Sequence, residues 1–246
     1  MQRVTTGPVP LAIGALMALS GCGLIDSSVL DFNFVTDDQE FTIDTAAWFN
    51  SADVVFPSVP CDPANDLCAA TGEEFCRSGT PADCDAVCQP TSDDNSSRCE
   101  LAVDVAVSNA IDLSNESEFS VVDNQPLAEV TIDNVEYRVV ENTLDITSPQ
   151  LDLYVGPLGA MTPDSADTQP IGLVAPISAG QQTGWTPVDL TAQGQATLRS
   201  FMADEAYKSP FTVIVGTRID LVPGQQPPTG KAVIQVRIRA TARPAL

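Results

Sequence analysis

The chain has 246 residues, 33 acidic side chains against 11 basic ones, a formal charge of −22 and no histidine. That charge repels nucleic acid, whose binding rests on neutralising phosphates with Lys and Arg, and it repels anionic headgroups, so no nucleic-acid partner is expected. The missing histidine removes the commonest general base, the usual triad member and the commonest zinc ligand.

In chain order, Arg3 and the free amine give a thin positive start, and an apolar run follows from Val9 to Leu19. The run is roughly half the ~20 residues that cross a bilayer, so it predicts a removable leader and not a persistent anchor. It closes on Leu19-Ser20-Gly21-Cys22. This tetrapeptide resembles the lipobox of bacterial lipoproteins, in which the cysteine thiol receives a diacylglyceryl group and a peptidase cuts before it. The resemblance implies a signal peptide over residues 1–21, lipidation at Cys22 and a mature protein held on the membrane by acyl chains. Gly23 stands where lipoproteins retained in the inner membrane carry Asp, which points to the outer membrane, in either leaflet. Ordinary cleavage after Ala18-Leu19-Ser20 is the alternative and would leave Cys22 as a free thiol. The other cysteines already form an even set, which favours the lipobox.

Leu30, Phe32 and Phe34 alternate with polar residues, and Phe41 and Ile43 do so again after Thr36-Asp37-Asp38. The pattern predicts a hairpin. Cys61, Cys68, Cys76, Cys84, Cys88 and Cys99 then crowd into one acidic, loop-rich stretch. In an exported chain they predict three disulfides, with all fifteen connectivities open. Helical signals there are confined to Thr71–Cys76 and Thr80-Pro81-Ala82-Asp83.

Strand pattern resumes after Cys99. Leu101, Val103, Val105 and Val107 share one face, and Val130 and Ile132 begin an alternation that changes phase at Asp133-Asn134 to Val135, Tyr137 and Val139. A phase change requires a bulge or turn. Leu151, Leu153 and Val155 follow, then a Gly/Pro-punctuated loop from Gly156 to Pro170. One helix is expected near 192–206, capped by Thr191 and striped by Leu198, Phe201 and Met202, plugging an end of the fold. Two strands finish the chain, on Phe211/Val213/Val215/Ile219/Leu221 and on Ala232/Ile234/Val236/Ile238/Ala240.

Alternating strands without a strand–helix–strand rhythm predict an all-β fold: an antiparallel β-sandwich of roughly seven to ten strands, one short helix and a disulfide-rich insertion. The sandwich is expected over 22–60 and 100–246, with the stapled insertion at 61–99.

Candidate chemistry is sparse. The carboxylate pairs Asp37/Asp38, Glu73/Glu74 and Asp93/Asp94 are neighbours on turns, not partners across a glycosidase cleft. Lys208-Ser209 lies in no hydrolase motif. Asp62, Asp66, Asp93 and Asp94 are weak calcium candidates on loops, without EF-hand spacing. No other cofactor is expected. Trp48 and Trp185 are candidates for a sugar-stacking platform. The acidity itself reads as surface solvation, salt adaptation or cation binding. From Phe211 onward, Arg218, Lys231, Arg237, Arg239 and Arg243 face one acid, Asp220. Arg237, Arg239 and Arg243 share strand parity, so they either pair with acids on a neighbouring strand or dock an acidic partner or anionic surface polysaccharide.

The expected function is a non-enzymatic outer-membrane lipoprotein, a structural or protein–protein interaction module of the envelope. Its partner would be an envelope protein or surface polysaccharide. The alternative is a cell-surface module binding sugar or calcium, and a hydrolase stands third.

Overall fold

The computed structural model describes residues 32–50, 54–61, 67–77, 82–90, 97–113, 127–202 and 209–244. The expected leader and Cys22, the calcium candidates Asp62, Asp66, Asp93 and Asp94, and Lys208 lie outside the described residues, as does the Arg243 side chain. Two antiparallel sheets face each other as a β-sandwich. One contains β1 (Phe32–Val35), β2 (Gln39–Asp44), β5 (Leu127–Asn142), β8 (Thr186–Pro187) and β11 (Lys231–Pro244). The other runs β3 (Ala82–Pro90), β4 (Ser97–Ile111), β10 (Phe211–Leu221), β6 (Leu151–Pro157), β7 (Gln169–Val174) and β9 (Asp189–Leu190).

The alternation read from sequence is the alternation of burial. Leu101, Val103, Leu151, Leu153, Val155, Val213, Ile234, Val236 and Ile238 all point into one core. Asp133 is the residue left over where Asn134 pairs with Arg239 and Ile132 with Ala240, so the phase change is a bulge.

The expected hairpin does not form. β1 and β2 do not pair with each other; both run antiparallel to β11, on Arg239–Ala242 and Val236–Lys231 respectively. They are one interrupted strand line. Thr36, buried at the interruption, receives Ile238 N–H on its Oγ1 at 2.9 Å and donates its own N–H to Ile238 O at 3.0 Å. A side-chain oxygen thus replaces the missing ladder acceptor, and the chain passes on without reversing.

The stretch from Cys61 to Cys99 is not an appendage. Its last part is β3, which pairs with β4 from Ala82↔Val105 to Pro90↔Ser97. Its first part supplies a second helix, α1 (Leu67–Phe75), against the inner side of β3. At Gly72 a Cβ would come within 2.6 Å of the Ala86 Cβ, so only glycine permits that approach. Disulfides Cys61–Cys88, Cys68–Cys99 and Cys76–Cys84 tie α1 and its flanks to β3 and β4. Phe75 meets Phe49 and Phe56 edge-on, with centroids 5.9 and 5.4 Å apart. The segment therefore shares the main core, and Asp31–Leu246 is a single packing unit.

The helix expected from sequence is α2 (Ala192–Met202), with Thr191 Oγ1 accepting Gly194 N–H at 2.9 Å as the N-cap. It contacts β7 of one sheet and β5 of the other, and Leu198 is fully buried between them. Among the described residues no helix is long and apolar enough to cross a membrane.

Candidate functional site

The candidate site lies on the outer face of the six-stranded sheet. Period-2 geometry sends the residues between the core positions outward. Across one row, Asp83 on β3 stands opposite Asp104 on β4, which stands opposite Arg218 on β10. The next row is Ala106, Gly216 and Asp152, and beyond it come Ser108, Ile214 and Tyr154.

The loop between β6 and β7 folds back over this face. Its Gly159 N–H donates to Thr212 Oγ1 at 3.2 Å, and β10 is accordingly buried on both faces from Phe211 to Gly216. The loop is internally tied: Ser165 Oγ accepts the N–H groups of Met161 and Thr162 at 3.2 and 3.1 Å, and Ser165 N–H donates to Thr162 O at 3.0 Å. Gly159, at φ 91°, allows the reversal that starts it.

Between this wall and the edge strand β3 lies a groove of about 890 Å³. Its floor is Ala106 and Gly216, and its walls carry Tyr154, Pro163, Met161 and Asp164. A Cβ on Gly216 would come within 3.3 Å of both Tyr154 Cε2 and Pro163 Cγ, so the two rings close over a position kept bare of side chain. Met161, 68% exposed, forms an apolar lip.

The electrostatics of the groove are one-sided. Its charged side chains are Asp83, Asp104, Asp152 and Asp164 against Arg218. Burial pushes the Asp104 carboxyl above its ordinary value of 3.8, Arg218 pulls it down, and the charges of Asp220, Asp83 and Asp164 add to the rise. Burial also raises the Tyr154 hydroxyl, helped by Asp152 and Asp164, so it stays a neutral phenol. Among the described residues no three His, Cys, Asp or Glu side chains converge to hold a metal ion.

Of the described residues singled out from sequence, Arg218 lines the groove, whereas Arg237, Arg239, Trp48 and Trp185 lie elsewhere. Arg237 and Arg239 project together from β11, but both engage Glu136 on β5: Arg237 Nη2 and Arg239 Nε approach its Oε2 at 2.7 and 2.8 Å. The Arg237 guanidinium also lies 3.8 Å from the Trp185 ring centre, with Arg138 at 4.5 Å. Arg138 in turn reaches Asp38 at 2.9 Å. These arginines are cross-strand partners within the sheet's outer surface. The tryptophans do not form a platform. Trp48 is buried beside Phe49 in the core, whereas Trp185 covers guanidinium groups on the five-stranded sheet. Sequence reading missed Tyr154 and Asp104 because a lone tyrosine or aspartate on an alternating strand carries no motif; the gap in the alternation at Gly216 was the signal available.

No known protein family and no curated protein matches the chain. A solved structure described as the basis for the promiscuous specificity of carbohydrate-binding modules of the β-sandwich superfamily is similar at a TM-score of 0.25 and 12% identity. The similarity covers 65% of this chain, which spans about half of that neighbour's length (53%).

Proposed function

We propose that the protein is a non-enzymatic binding module of the cell envelope, exported and held on the outer membrane through lipid on Cys22, that takes an extended saccharide in the groove. The observation that carries this reading is the Tyr154 ring set over the bare floor at Gly216, beside Asp104, Arg218 and Asp152. Sugar rings present an apolar C–H face and a rim of vicinal hydroxyls. An aromatic ring suits the first, and planar carboxylate and guanidinium groups suit the second. The groove volume falls in the usual range for ligand sites, about 300 to 1,000 Å³.

Of the two partners left open by sequence, the groove favours polysaccharide over protein. Arg237 and Arg239, which would dock an acidic partner, are committed to Glu136 and Trp185. Catalysis has little support, because Asp83 and Asp104 stand side by side on one sheet face, whereas glycosidase carboxylates flank the scissile bond. Three disulfides agree with an oxidising compartment.

A glycan array with Tyr154→Ala and Trp185→Ala tests the assignment. Tyr154→Ala is expected to abolish binding and Trp185→Ala to leave it unchanged. Retention by Tyr154→Ala, or no glycan signal at all, overturns it. The anchor is tested separately: Cys22→Ser should release the protein from the membrane pellet, and persistence there would refute lipidation.

A further inference from the structure

We infer that the saccharide taken by the groove is cationic, bearing free amino groups, and that neutral and acidic sugars are poorer ligands; this rests on the saccharide reading above. Four carboxylates line the groove and the single guanidinium is already engaged, Arg218 Nε meeting Asp220 at 3.0 Å and its Nη1 meeting Asp104 at 3.6 Å. Among the described residues Asp83, Asp152 and Asp164 form no ion pair; Asp152 only accepts the Gln150 amide at 2.9 Å. Asp83 and Asp104 stand directly opposite each other across β3 and β4, a like-charge arrangement that costs the sheet stability.

The placement separates the ligand classes. The acids are spread over β3, β4, β6 and the loop at Asp164 and do not converge on a point, so they offer separate sites along the groove and not a cage for one metal ion. A chain of amino sugars carries ammonium groups at intervals along the polar rim of rings whose C–H faces stay apolar. It would place charge against the carboxylates while a ring lies on Tyr154. An acidic polysaccharide would add like charges to a groove that already has an excess of them. Arg218, paired on both sides, serves to orient Asp104 more than to attract an anion.

The test is calorimetry on the full chain with three oligosaccharides of equal length and linkage: a glucosamine oligomer, its N-acetylated counterpart and a glucose oligomer, at a pH below the amine pKa. The glucosamine oligomer is expected to bind about tenfold or more tightly than the N-acetylated one, the effect of one charge-assisted contact. That preference should vanish in Asp104→Asn/Asp152→Asn and survive in Glu73→Gln/Glu74→Gln, whose exposed carboxylates lie on α1, behind the sheet from the groove. Equal or tighter binding of the neutral oligomers, lost in Tyr154→Ala, overturns the charge inference and leaves the saccharide reading standing. Glucosamine binding weakened equally by both acid variants marks attraction to bulk negative charge and overturns the inference too. Absence of Tyr154-dependent binding to all three oligomers refutes the saccharide reading itself.

Discussion

Cys88 and Cys99 stand directly opposite each other on β3 and β4, yet they are not bonded to each other: Cys88 is joined to Cys61 and Cys99 to Cys68. Both bonds therefore point across the layer, from sheet to the segment that covers it, and not along the sheet. The edge of the six-stranded sheet gains its second layer from α1 and its flanks, and the bridges hold that layer in place.

This arrangement predicts unequal bridges. Cys99 is fully buried and Cys68 nearly so, whereas Cys88 is exposed on the edge strand. Cys68→Ala/Cys99→Ala should lose about 2 to 5 kcal/mol in denaturant unfolding. Hydrogen exchange should then show faster opening of β3 and β4 together. Thiol trapping under mild reductant should find Cys61–Cys88 open first, since access governs exchange. Loss of α1 with undisturbed β3 and β4 would show that the segment is a separate module after all.

The Glu136 cluster predicts an acid-sensitive contribution to stability. Burial alone would raise the Glu136 carboxyl, but hydrogen bonds from Arg239 and Arg237 outweigh it and hold the group below its ordinary value of 4.5. A lowered folded pKa stabilises the fold above the unfolded value, and that contribution disappears as pH falls through the folded one. Arg237→Ala should cost about 1.5 to 3 kcal/mol at neutral pH, the usual range for a hydrogen bond to a charged group. Glu136→Gln should show a flatter decline of Tm on acidification than the wild type. Equal acid sensitivity would remove Glu136 from the account.

Asp104 should behave in the opposite sense. Its raised pKa means that ionisation costs more in the folded state than in the unfolded one, so the penalty grows as pH rises above 3.8. Asp104→Asn is therefore expected to raise Tm at neutral pH and to match the wild type at strongly acidic pH. A neutral-pH decrease would mean that the Arg218 contact outweighs the repulsion.

Gly194 is the most restrictive contact of α2. A Cβ there would fall 1.9 Å from Ile171 O, a backbone atom in β7 that cannot move aside. Gly194→Ala, which raises intrinsic helix propensity, should nevertheless destabilise by roughly 3 kcal/mol or more, because overpacking against backbone outweighs propensity. Gly184→Ala, in open space, is the matched control and should be near neutral by thermal melting.

The sequence alone determined the core-facing parity of the strands it marked, such as Leu101/Val103/Val105 and Leu151/Leu153/Val155, a break in phase at Asp133-Asn134, the Thr191 cap and the oxidised state of the cysteines. Each of these follows from local rules: period-2 burial, the orphan N–H groups at a helix start, and the even number of thiols gathered in one stretch. Burial of the second face of β10 at Thr212, Ile214 and Gly216 came only with the covering loop. The tertiary structure decided everything that depends on which strand lies beside which. It turned the expected hairpin into one strand line along β11 and drew the 61–99 segment into the sheet. It also chose one connectivity from fifteen. Arg237 finds Glu136 across a separation of 101 residues, and the groove gathers Asp83, Asp104, Tyr154 and Gly216 from four strands. Strand order is a collective outcome of burying one core, and alternation fixes the face of a residue but not its neighbour.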